Sequence, residues 1–415
     1  MPSLPSLVDH LFRHEASRLV ARLTRAFGAE HLQLAEDVVQ EALLTALRSW
    51  PYRGVPDDPA AWLWRVARNK ALDVLRRDAS WRQRAGAVAR TLEPPRGGPH
   101  SGDVATLLDD ELALVFLCCH PALPRDAQVA LTLKTAAGFG TSEIARAFLE
   151  TEPTVAQRLV RAKRKLRDQT EPFEIPAGEE LAARLDSVLE VLYLVFNEGY
   201  ATHRGEEPVR ADLCGEALRL VELLTRLTRT AEPRVHALAA LFCFQAARLP
   251  ARAASPGEVL VLDEQDRSLW DRELIRRGLH HFECSARGAE LTPYHLQAEI
   301  ASCHALAESL EETDWARICA AYDVLLGMAP SPVVAVNRAA ALVRGQGLEQ
   351  GLKAMEELRT DPALQGYGPY WTAWGEMLGR AGDPVAAREA LSRALVLAEG
   401  PPLRRRLEQR LRDLG

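Results

Sequence analysis

The residues best suited to act on another molecule are basic side chains crowded into one short segment. Between positions 153 and 167 the sequence holds six lysines and arginines and no acidic residue. Val155, Leu159, Ala162 and Leu166 recur at the spacing of one helical face, so the positive charge lies around the rest of the helix. Such side chains neutralise phosphates, and in a helix that fits the major groove they reach base edges. The chemistry indicated is DNA recognition.

A shorter helix is predicted just before this basic helix. Glu143-Ile144-Ala145 opens it, and Pro153 suits the first turn of the basic helix that follows. The turn between them carries Leu149-Glu150-Thr151, where such turns often have glycine. The pair is typical of a helix-turn-helix. The residues assigned to base edges are Glu152, Thr154, Gln157, Arg158 and Arg161. The residues assigned to phosphates are Lys163, Arg164, Lys165 and Arg167.

A second basic segment lies upstream, where positions 61–90 hold eight basic residues and two acidic ones. Aromatic residues interleave the basic ones, as in proteins that stack bases and follow a single-stranded backbone. Trp62 falls on the apolar stripe of the predicted helix and is expected in the core, whereas Trp64 lies off it. The candidates for single-strand contact are Trp64, Arg65, Arg68, Asn69, Lys70, Arg76 and Arg77.

An amphipathic helix with a polar cluster precedes that segment. Asp37, Gln40, Glu41 and Leu44 share one face by their spacing of three and four residues. Taken by themselves, these residues are most simply a solvated acidic face of the helix.

Composition predicts a helical protein with an uneven charge. Alanine, leucine, arginine and glutamate dominate, and runs of β-branched residues are scarce, so we expect an all-α fold. The net charge of −6 combines +3 over residues 1–171 with −9 over the remainder, which favours nucleic-acid contact by the first part. No apolar run is long enough for a membrane span and no signal peptide is recognisable, so we expect a cytoplasmic protein.

Proline- and glycine-rich stretches divide the chain. The predicted domains cover 7–90 and 104–170, with linkers at 91–103 and 171–179, followed by a helical extension over 180–310 and tetratricopeptide-like (TPR-like) repeats over 311–415. The last repeat is inferred from Trp371, Gly375, Ala387 and Leu391, and a weaker upstream copy from Ala339, Gly351 and Met355. An irregular helical bundle is the alternative for 315–415.

In this order, the segments resemble bacterial RNA polymerase sigma factors of the extracytoplasmic-function type. The family's region two pattern is matched by Asp37, Gln40 and Glu41, then Trp62, Leu63, Ala67, Arg68 and Asn69, then Asp73, Arg76 and Arg77. Region four is matched by Glu143-Ile144-Ala145, Thr154-Val155 and Arg161-Ala162. The resemblance implies two small all-α domains followed by an α-helical solenoid extension.

The resemblance also implies partners. Core RNA polymerase would bind through its β′ clamp and β flap, and promoter DNA through its −10 and −35 elements. By resemblance, Asp37, Gln40, Glu41 and Leu44 dock on the clamp, the basic segment around Arg68 captures the displaced −10 strand, and the helix-turn-helix reads the −35 element. The polymerase performs the chemistry, so the chain itself is expected to be neither an enzyme nor a cofactor-binding protein.

The remainder of the chain resembles the long extension of one sigma subgroup. Motifs at 193–200, 263–270, 294–298 and 337–339 carry that resemblance. We expect the extension to pack on the sigma domains in cis and to gate them, with the motifs at 193–200 and 263–270 near the contact.

Two other functions and one metal site are weighed against this interpretation. A one-component regulator with a ligand-sensing extension has no use for the segment 62–77, and an enzyme housed in 180–330 would need a pocket around Glu198, Asp266 and Arg267. Cys118-Cys119-His120 is predicted to be a buried helix end. No metal site is predicted, although a weak zinc candidate is formed by His280, His281, Cys284, Cys303 and His304.

Overall fold

The computed structural model describes residues 4–77, 104–148, 150–169, 172–200, 209–252, 260–398 and 401–414. Within these ranges every regular element is helical and none is a strand, which confirms the predicted all-α class. The predicted linker at 91–103 lies outside the described residues. The chain forms two compact units, Met1–Val195 and Phe196–Gly415.

The first unit, called unit 1, contains the two predicted DNA-binding regions. Its helices are α1 Leu4–Phe27, α2 Leu32–Arg53, α3 Pro59–Arg77, α4 Val104–Cys118, α5 Arg125–Leu131, α6 Thr141–Ala147, α7 Glu152–Arg167 and the first part of α8 Glu179–Tyr200. A π-helical turn, Thr132–Ala136, continues α5. Helix α1 packs against both α2 and α4, so the two predicted domains share one core in which Leu23, Leu63 and Phe116 are fully buried.

Helix α8 begins inside unit 1. Arg184 donates a hydrogen bond to the carbonyl of Phe116 over 3.1 Å, and Arg125 donates to the carbonyl of Ser187 over 3.1 Å. Arg125 also forms an ion pair with Glu190. The division between the units therefore falls within α8, and not at the linker predicted over 171–179, because the first half of α8 is fastened to α4 and α5.

The second unit, called unit 2, is a succession of helices. They are α9 Ala211–Arg226, α10 Pro233–Ala246, α11 Leu249–Arg252, α12 Arg272–Ser285, α13 Pro293–Leu306, α14 Trp315–Met328, α15 Pro332–Gly345, α16 Leu348–Glu357, α17 Gly368–Arg380, α18 Pro384–Leu397 and α19 Pro401–Asp413. Helix α10 is apolar on nearly all sides and packs against α9, α12 and α13. From α13 onward each helix packs against the next, as in a solenoid.

Two helix pairs of unit 2 repeat the same close approach. A Cβ atom on Gly351 of α16 would lie 3.1 Å from the carbonyl oxygen of Ala339 in α15. A Cβ atom on Gly375 of α17 would lie 3.1 Å from the carbonyl oxygen of Ala387 in α18. These are the small residues from which the sequence predicted repeats. The TPR assignment itself stays a prediction.

Gly199, in the motif at 193–200, has a packing role. A Cβ atom on Gly199 would lie 2.7 Å from the carbonyl oxygen of Arg210 and 2.9 Å from the backbone nitrogen of Cys214. Only glycine fits there, because the end of α8 crosses the start of α9 at backbone distance. No helix in the described ranges has the length and apolar character needed to cross a membrane.

Candidate nucleic-acid and polymerase interface

Helix α7 has the form predicted for a recognition helix. The Thr151 hydroxyl accepts a hydrogen bond from the backbone N–H of Thr154 over 3.3 Å, which caps the helix start, and Pro153 occupies its first turn. The four apolar residues of the predicted stripe are all buried, which confirms the face assignment. Glu150 N–H bonds the carbonyl of Ala145 over 2.9 Å and closes the preceding turn, of which Leu149 lies outside the described residues.

Most of the residues assigned to DNA on α7 are exposed. The structure places them on the side of the helix opposite its buried stripe, where they form a basic surface. The exposed members are Glu152, Thr154, Gln157, Arg161, Arg164, Lys165 and Arg167.

Arg158 differs from these neighbours. Its guanidinium lies 2.7 Å from Glu150 in the turn and 2.9 Å from Asp126 at the start of α5, and the side chain is only 20% exposed. The hydrogen bond that Arg158 donates to the Glu150 carboxylate raises the pKa of Arg158. The sequence assigned this arginine to a base edge, whereas the structure uses it to hold the helix-turn-helix together.

Lys163 is held even more tightly inside unit 1. Its side chain is 11% exposed and forms an ion pair with Glu36 of α2, which is itself buried. Lys163 Nζ also bonds Gln33 over 2.9 Å, and the Thr135 hydroxyl donates to the other Glu36 oxygen over 2.6 Å. We call Gln33, Glu36, Thr135 and Lys163 the Glu36 clasp. The prediction that Lys163 contacts phosphate disagrees with this placement, because its ammonium is already neutralised.

The polar face predicted on α2 is exposed as a unit. Asp37, Gln40, Glu41 and Leu44 all lie at the surface, and Leu44 is 51% exposed. Asp37 accepts a hydrogen bond from Gln33 over 2.7 Å. A cavity of about 310 Å³ lies beside this face, and its polar lining comes from Ser17, Glu36, Gln40, Lys134, Thr135 and Glu143.

Helix α3 carries the second basic set. Asp58 accepts a hydrogen bond from the Ala61 N–H over 2.9 Å and caps the helix start. Lys70 Nζ lies 2.7 Å from Glu41 Oε2, so a residue assigned to DNA pairs with one assigned to polymerase. Arg68 is partly buried, and its Nε has no hydrogen-bond partner among the described residues. The exposed members are Arg65, Asn69, Arg76 and Arg77.

The two tryptophans of α3 are both partly buried. Trp62 lies edge-on to Trp50 with ring centres 5.6 Å apart, which fits its predicted packing role. The Arg22 guanidinium lies 4.0 Å over the ring of Trp64. One face of Trp64 is therefore already covered by a cation of α1, a contact that the sequence could not reveal.

The cysteines weighed as metal ligands are mostly buried. Cys118 and Cys119 are buried, and burial raises the pKa of Cys119 to about 11. Cys284 lies 3.9 Å from His280. In the part of the chain that the structure describes, no three histidine, cysteine, aspartate or glutamate side chains converge on a metal position.

Comparison with known families agrees with this geometry. The sigma-70 region 2 family matches residues 11–82, and the sigma-70 region 4 family matches residues 113–166. A family of unknown function (DUF6596) matches residues 184–286, which begin inside α8. No solved structure matches the chain.

Two relatives match this chain, one over most of its length and the other over about a third of it. An uncharacterized protein of Rhizobium meliloti (strain 1021) is 40% identical over 396 residues, which cover 92% of this chain and 91% of the relative. The ECF RNA polymerase sigma-E factor of Haemophilus influenzae (strain ATCC 51907 / DSM 11121 / KW20 / Rd) is 30% identical over 142 residues, or 33% of this chain and 75% of the relative. The chain therefore belongs to the sigma-70 family, as a transcription-initiation sigma factor of the extracytoplasmic-function type with a C-terminal extension.

Proposed function

We propose that this sigma factor binds core RNA polymerase through α2, captures the −10 strand through α3 and reads the −35 element through α7. The observation that supports this most is the joint exposure of two chemically opposite faces in unit 1. One is the acidic and apolar face of α2, and the other is the basic face of α7. An interface of charged side chains around an exposed leucine selects a partner and fixes its register.

The proposed polymerase contact uses the exposed face of α2. Asp37, Gln40, Glu41 and Leu44 dock on the β′ clamp, and Leu44 supplies apolar area at the centre of the contact. Region four contacts the β flap. Glu41 must exchange its bond to Lys70 for a bond to the clamp, and that exchange frees the Lys70 ammonium for the −10 strand.

The Glu36 clasp holds α2 and α7 together, and we call this the closed arrangement of unit 1. It ties the recognition helix α7 to the docking helix α2 through a buried ion pair. Helix α2 packs against α3, which captures the −10 strand in this proposal. Because the −10 and −35 elements are separate stretches of DNA, α2 and α7 must part when both elements are engaged. We infer that polymerase and promoter binding open the clasp.

The chain is not an enzyme in this proposal, since the polymerase forms the phosphodiester bonds. The residues weighed for an enzyme pocket make structural bonds. Asp266 is exposed and accepts a hydrogen bond from the Ser268 N–H over 2.8 Å. Arg267 donates to the carbonyls of His304 and Ala307, each over 2.7 Å. Unit 2 regulates the activity of unit 1.

The test is run-off transcription with purified core polymerase and the full chain. The double variant Asp37→Ala/Glu41→Ala should weaken core binding and lower the transcript yield in proportion, while the fold is kept. The matched control is Glu349→Ala/Glu389→Ala, which removes two exposed acids of unit 2 and should leave both readouts unchanged. Equal core affinity of the docking variant and the wild type would refute the assignment of α2.

A further inference from the structure

Three arginines of unit 2 lie close together around two aromatic rings. The guanidinium of Arg248 lies 5.5 Å from the centre of the Trp270 ring, and that of Arg267 lies 4.8 Å from the same centre. The guanidinium of Arg252 lies 4.4 Å over the ring of Tyr200. Two cations thus share one indole, with a third cation one helical turn along the chain from the first.

The hydrogen bonds of these arginines go to neutral groups. Arg248 Nε donates to Gln265 over 3.2 Å, and Arg267 donates to two backbone carbonyls. None of the three guanidiniums forms a salt bridge with any carboxylate in the described ranges. Two acids of the same motif form their ion pairs with other arginines, Asp263 with Arg344 and Glu264 with Arg406.

The electrostatics of the cluster are unfavourable as it stands. Burial lowers the pKa of Arg248, Tyr200 acts in the opposite direction, and the nearby charge of Arg252 lowers it again. Burial, and then the charge of Arg248, lower the pKa of Arg267, and the more distant carboxylates of Glu311 and Asp263 offset this only in part. Burial together with Arg248 and Arg267 lowers the pKa of His304 to about 3, so this imidazole is neutral at pH 7. The three arginines are partly buried, and like charges that lie close together in such a place destabilise a fold unless a counter-charge accompanies them.

Unsatisfied polar atoms belong to residues of this cluster. Trp270 is 3% exposed, yet its indole Nε1 has no hydrogen-bond partner among the described residues. The same holds for Arg252 Nε and His304 Nδ1. Buried N–H groups are nearly always paired, so the unpaired N–H groups of Trp270 and Arg252 indicate a missing acceptor. His304 Nδ1 can donate to the same acceptor in the tautomer that carries the proton on this nitrogen.

We propose that Arg248, Arg252 and Arg267, together with Trp270 and His304, bind a small dianion of the phosphate class, either inorganic phosphate or a phosphate monoester. Its oxygens accept the free N–H groups of the arginines and of the indole, and its charge compensates the cluster. A phosphate carries about −1.5 to −2 charge at pH 7 and three strong acceptor oxygens, which match forked guanidiniums approaching from several sides. A single carboxylate offers less charge and fewer acceptors.

The proposed site draws its residues from three segments of unit 2, so binding should stabilise the folded state. Arg248 and Arg252 follow α10, Arg267 belongs to the motif at 263–270, and His304 lies in the last turn of α13. An anion bound by all three segments would link the end of α10, the apolar helix of unit 2, to α13, where the solenoid-like series of helices begins. A ligand that binds only the folded state stabilises it, so phosphate should raise the melting temperature.

The experiment uses the full chain in phosphate-free buffer, with calorimetric titration of inorganic phosphate and melting curves at increasing phosphate. The wild type should bind and should melt at a higher temperature with phosphate. Arg248→Met should weaken binding about 10- to 100-fold, as expected for a lost hydrogen bond to a charged group. Without phosphate the same variant should melt at or above the wild-type temperature, because an unpaired cation is gone.

Control variants and a second ligand test whether phosphate binds at this site. Arg317→Met removes an arginine already paired with Glu299 and should leave the phosphate response intact. Trp270→Phe keeps a ring but lacks the N–H, and should weaken binding less than Arg248→Met. Titration of glycerol phosphate distinguishes the two sources, since tighter binding than phosphate identifies a monoester as the ligand and weaker binding identifies free phosphate.

Three results would overturn the proposal. An equal phosphate response in the wild type and Arg248→Met would place binding elsewhere on the chain. A response to succinate without one to phosphate would refute the ligand class. A wild type that responds to neither anion, with Arg248→Met melting below it, would show that the protein itself compensates the cluster.

Discussion

At the scale of single residues, the buried carboxylate of Glu36 determines the role of Lys163. It is 6% exposed and accepts bonds from Thr135 and Lys163, which belong to two other segments of unit 1. A buried carboxylate is costly unless a cation and hydrogen-bond donors accompany it. Lys163 is therefore a structural residue in the closed arrangement, although its position in the basic helix favours DNA.

The first prediction separates Lys163 from Lys165. Lys163→Met should lower the free energy of unfolding by about 3 kcal/mol, because it leaves Glu36 charged and buried without its cation. Lys165 is exposed, so Lys165→Ala should leave stability unchanged and reduce the salt dependence of promoter binding by about one counterion. Urea unfolding and DNA titrations at several salt concentrations measure both. Adding Glu36→Gln to Lys163→Met should restore most of the lost stability. Identical behaviour of the two lysine variants would contradict the clasp.

The second prediction concerns Arg158 and Arg161. Arg161 is exposed, and Arg161→Ala should cost about 1–3 kcal/mol of promoter affinity and relax the preference at one −35 position. Arg158→Ala should instead lower stability by about 1 kcal/mol, since its bonds to Glu150 and Asp126 are lost. Binding to a panel of −35 variants, compared with unfolding curves, tells the two apart. Loss of discrimination in Arg158→Ala with no loss of stability would reverse the roles.

The third prediction is a pH dependence in unit 2. His236 Nδ1 lies 3.0 Å from His281 Nδ1, and burial with the nearby His281 lowers the pKa of His236 to about 4. The unfolded chain takes up this proton near pH 6.5. Lowering the pH from 6.5 to 5 therefore favours the unfolded state, and stability should fall over that interval. In His236→Gln the fall should be smaller. Parallel melting-temperature profiles for the two proteins would disprove the contribution of His236.

At the scale of elements, close approach between neighbouring helices organises the end of the chain. Gly375 faces Ala387 across α17 and α18, just as Ala339 faces Gly351 across α15 and α16. Small residues let helix backbones come near each other, and packing then fixes the angle between the helices of a pair. Helix starts reinforce this order, because Asp314 and Asp383 each cap the helix that follows.

The fourth prediction compares two glycines in helices. A Cβ atom on Gly375 would lie 2.7 Å from Leu391 Cγ as well as close to the Ala387 carbonyl, so Gly375→Ala should destabilise the protein by about 1–2 kcal/mol. The Cβ position of Gly327 in α14 is open within 4 Å. Gly327→Ala should therefore stabilise by about 0.5–1 kcal/mol through its better helix propensity. Thermal unfolding of both variants measures the difference. Shifts of the same sign would contradict the packing described for α17 and α18.

At the scale of the whole molecule, helix α8 belongs to both units. Its first half bonds to α4 and α5, while Gly199 near its end lies against α9. The family of unknown function also begins within this helix, at residue 184. The first half of α8 is therefore anchored in unit 1, and a cut between the sigma regions and the extension has to respect that anchor.

The fifth prediction follows for truncated chains. A fragment ending at residue 170 lacks the bonds from Arg125 to Ser187 and from Arg184 to Phe116, and it uncovers the apolar surface beneath α8. It should melt at a lower temperature than a fragment ending at residue 200. Regulation by unit 2 should be tested with the longer fragment, whose promoter output should differ from that of the full chain. Equal melting temperatures of the two fragments would contradict the anchor, and equal output would contradict regulation.

The sequence by itself determined the local features of this protein. Helical class, the buried stripe of α7 and the exposed face of α2 were all predictable, because the period of a helix is set by neighbours three and four residues apart. The region two and region four patterns were recognisable for the same reason, since each lies within one or two consecutive helices. The small residues of the repeats also marked the contacts that they make.

Only the tertiary structure decided which charges are free. Lys163 and Glu36 are 127 positions apart, and nothing in the pattern of α7 distinguishes Lys163 from the exposed Lys165. The division within α8 and the unpaired arginines of unit 2 are likewise invisible in sequence. The sequence around a charged residue does not identify its ion-pair partner, because pairing depends on distances between segments that become neighbours only when the chain packs.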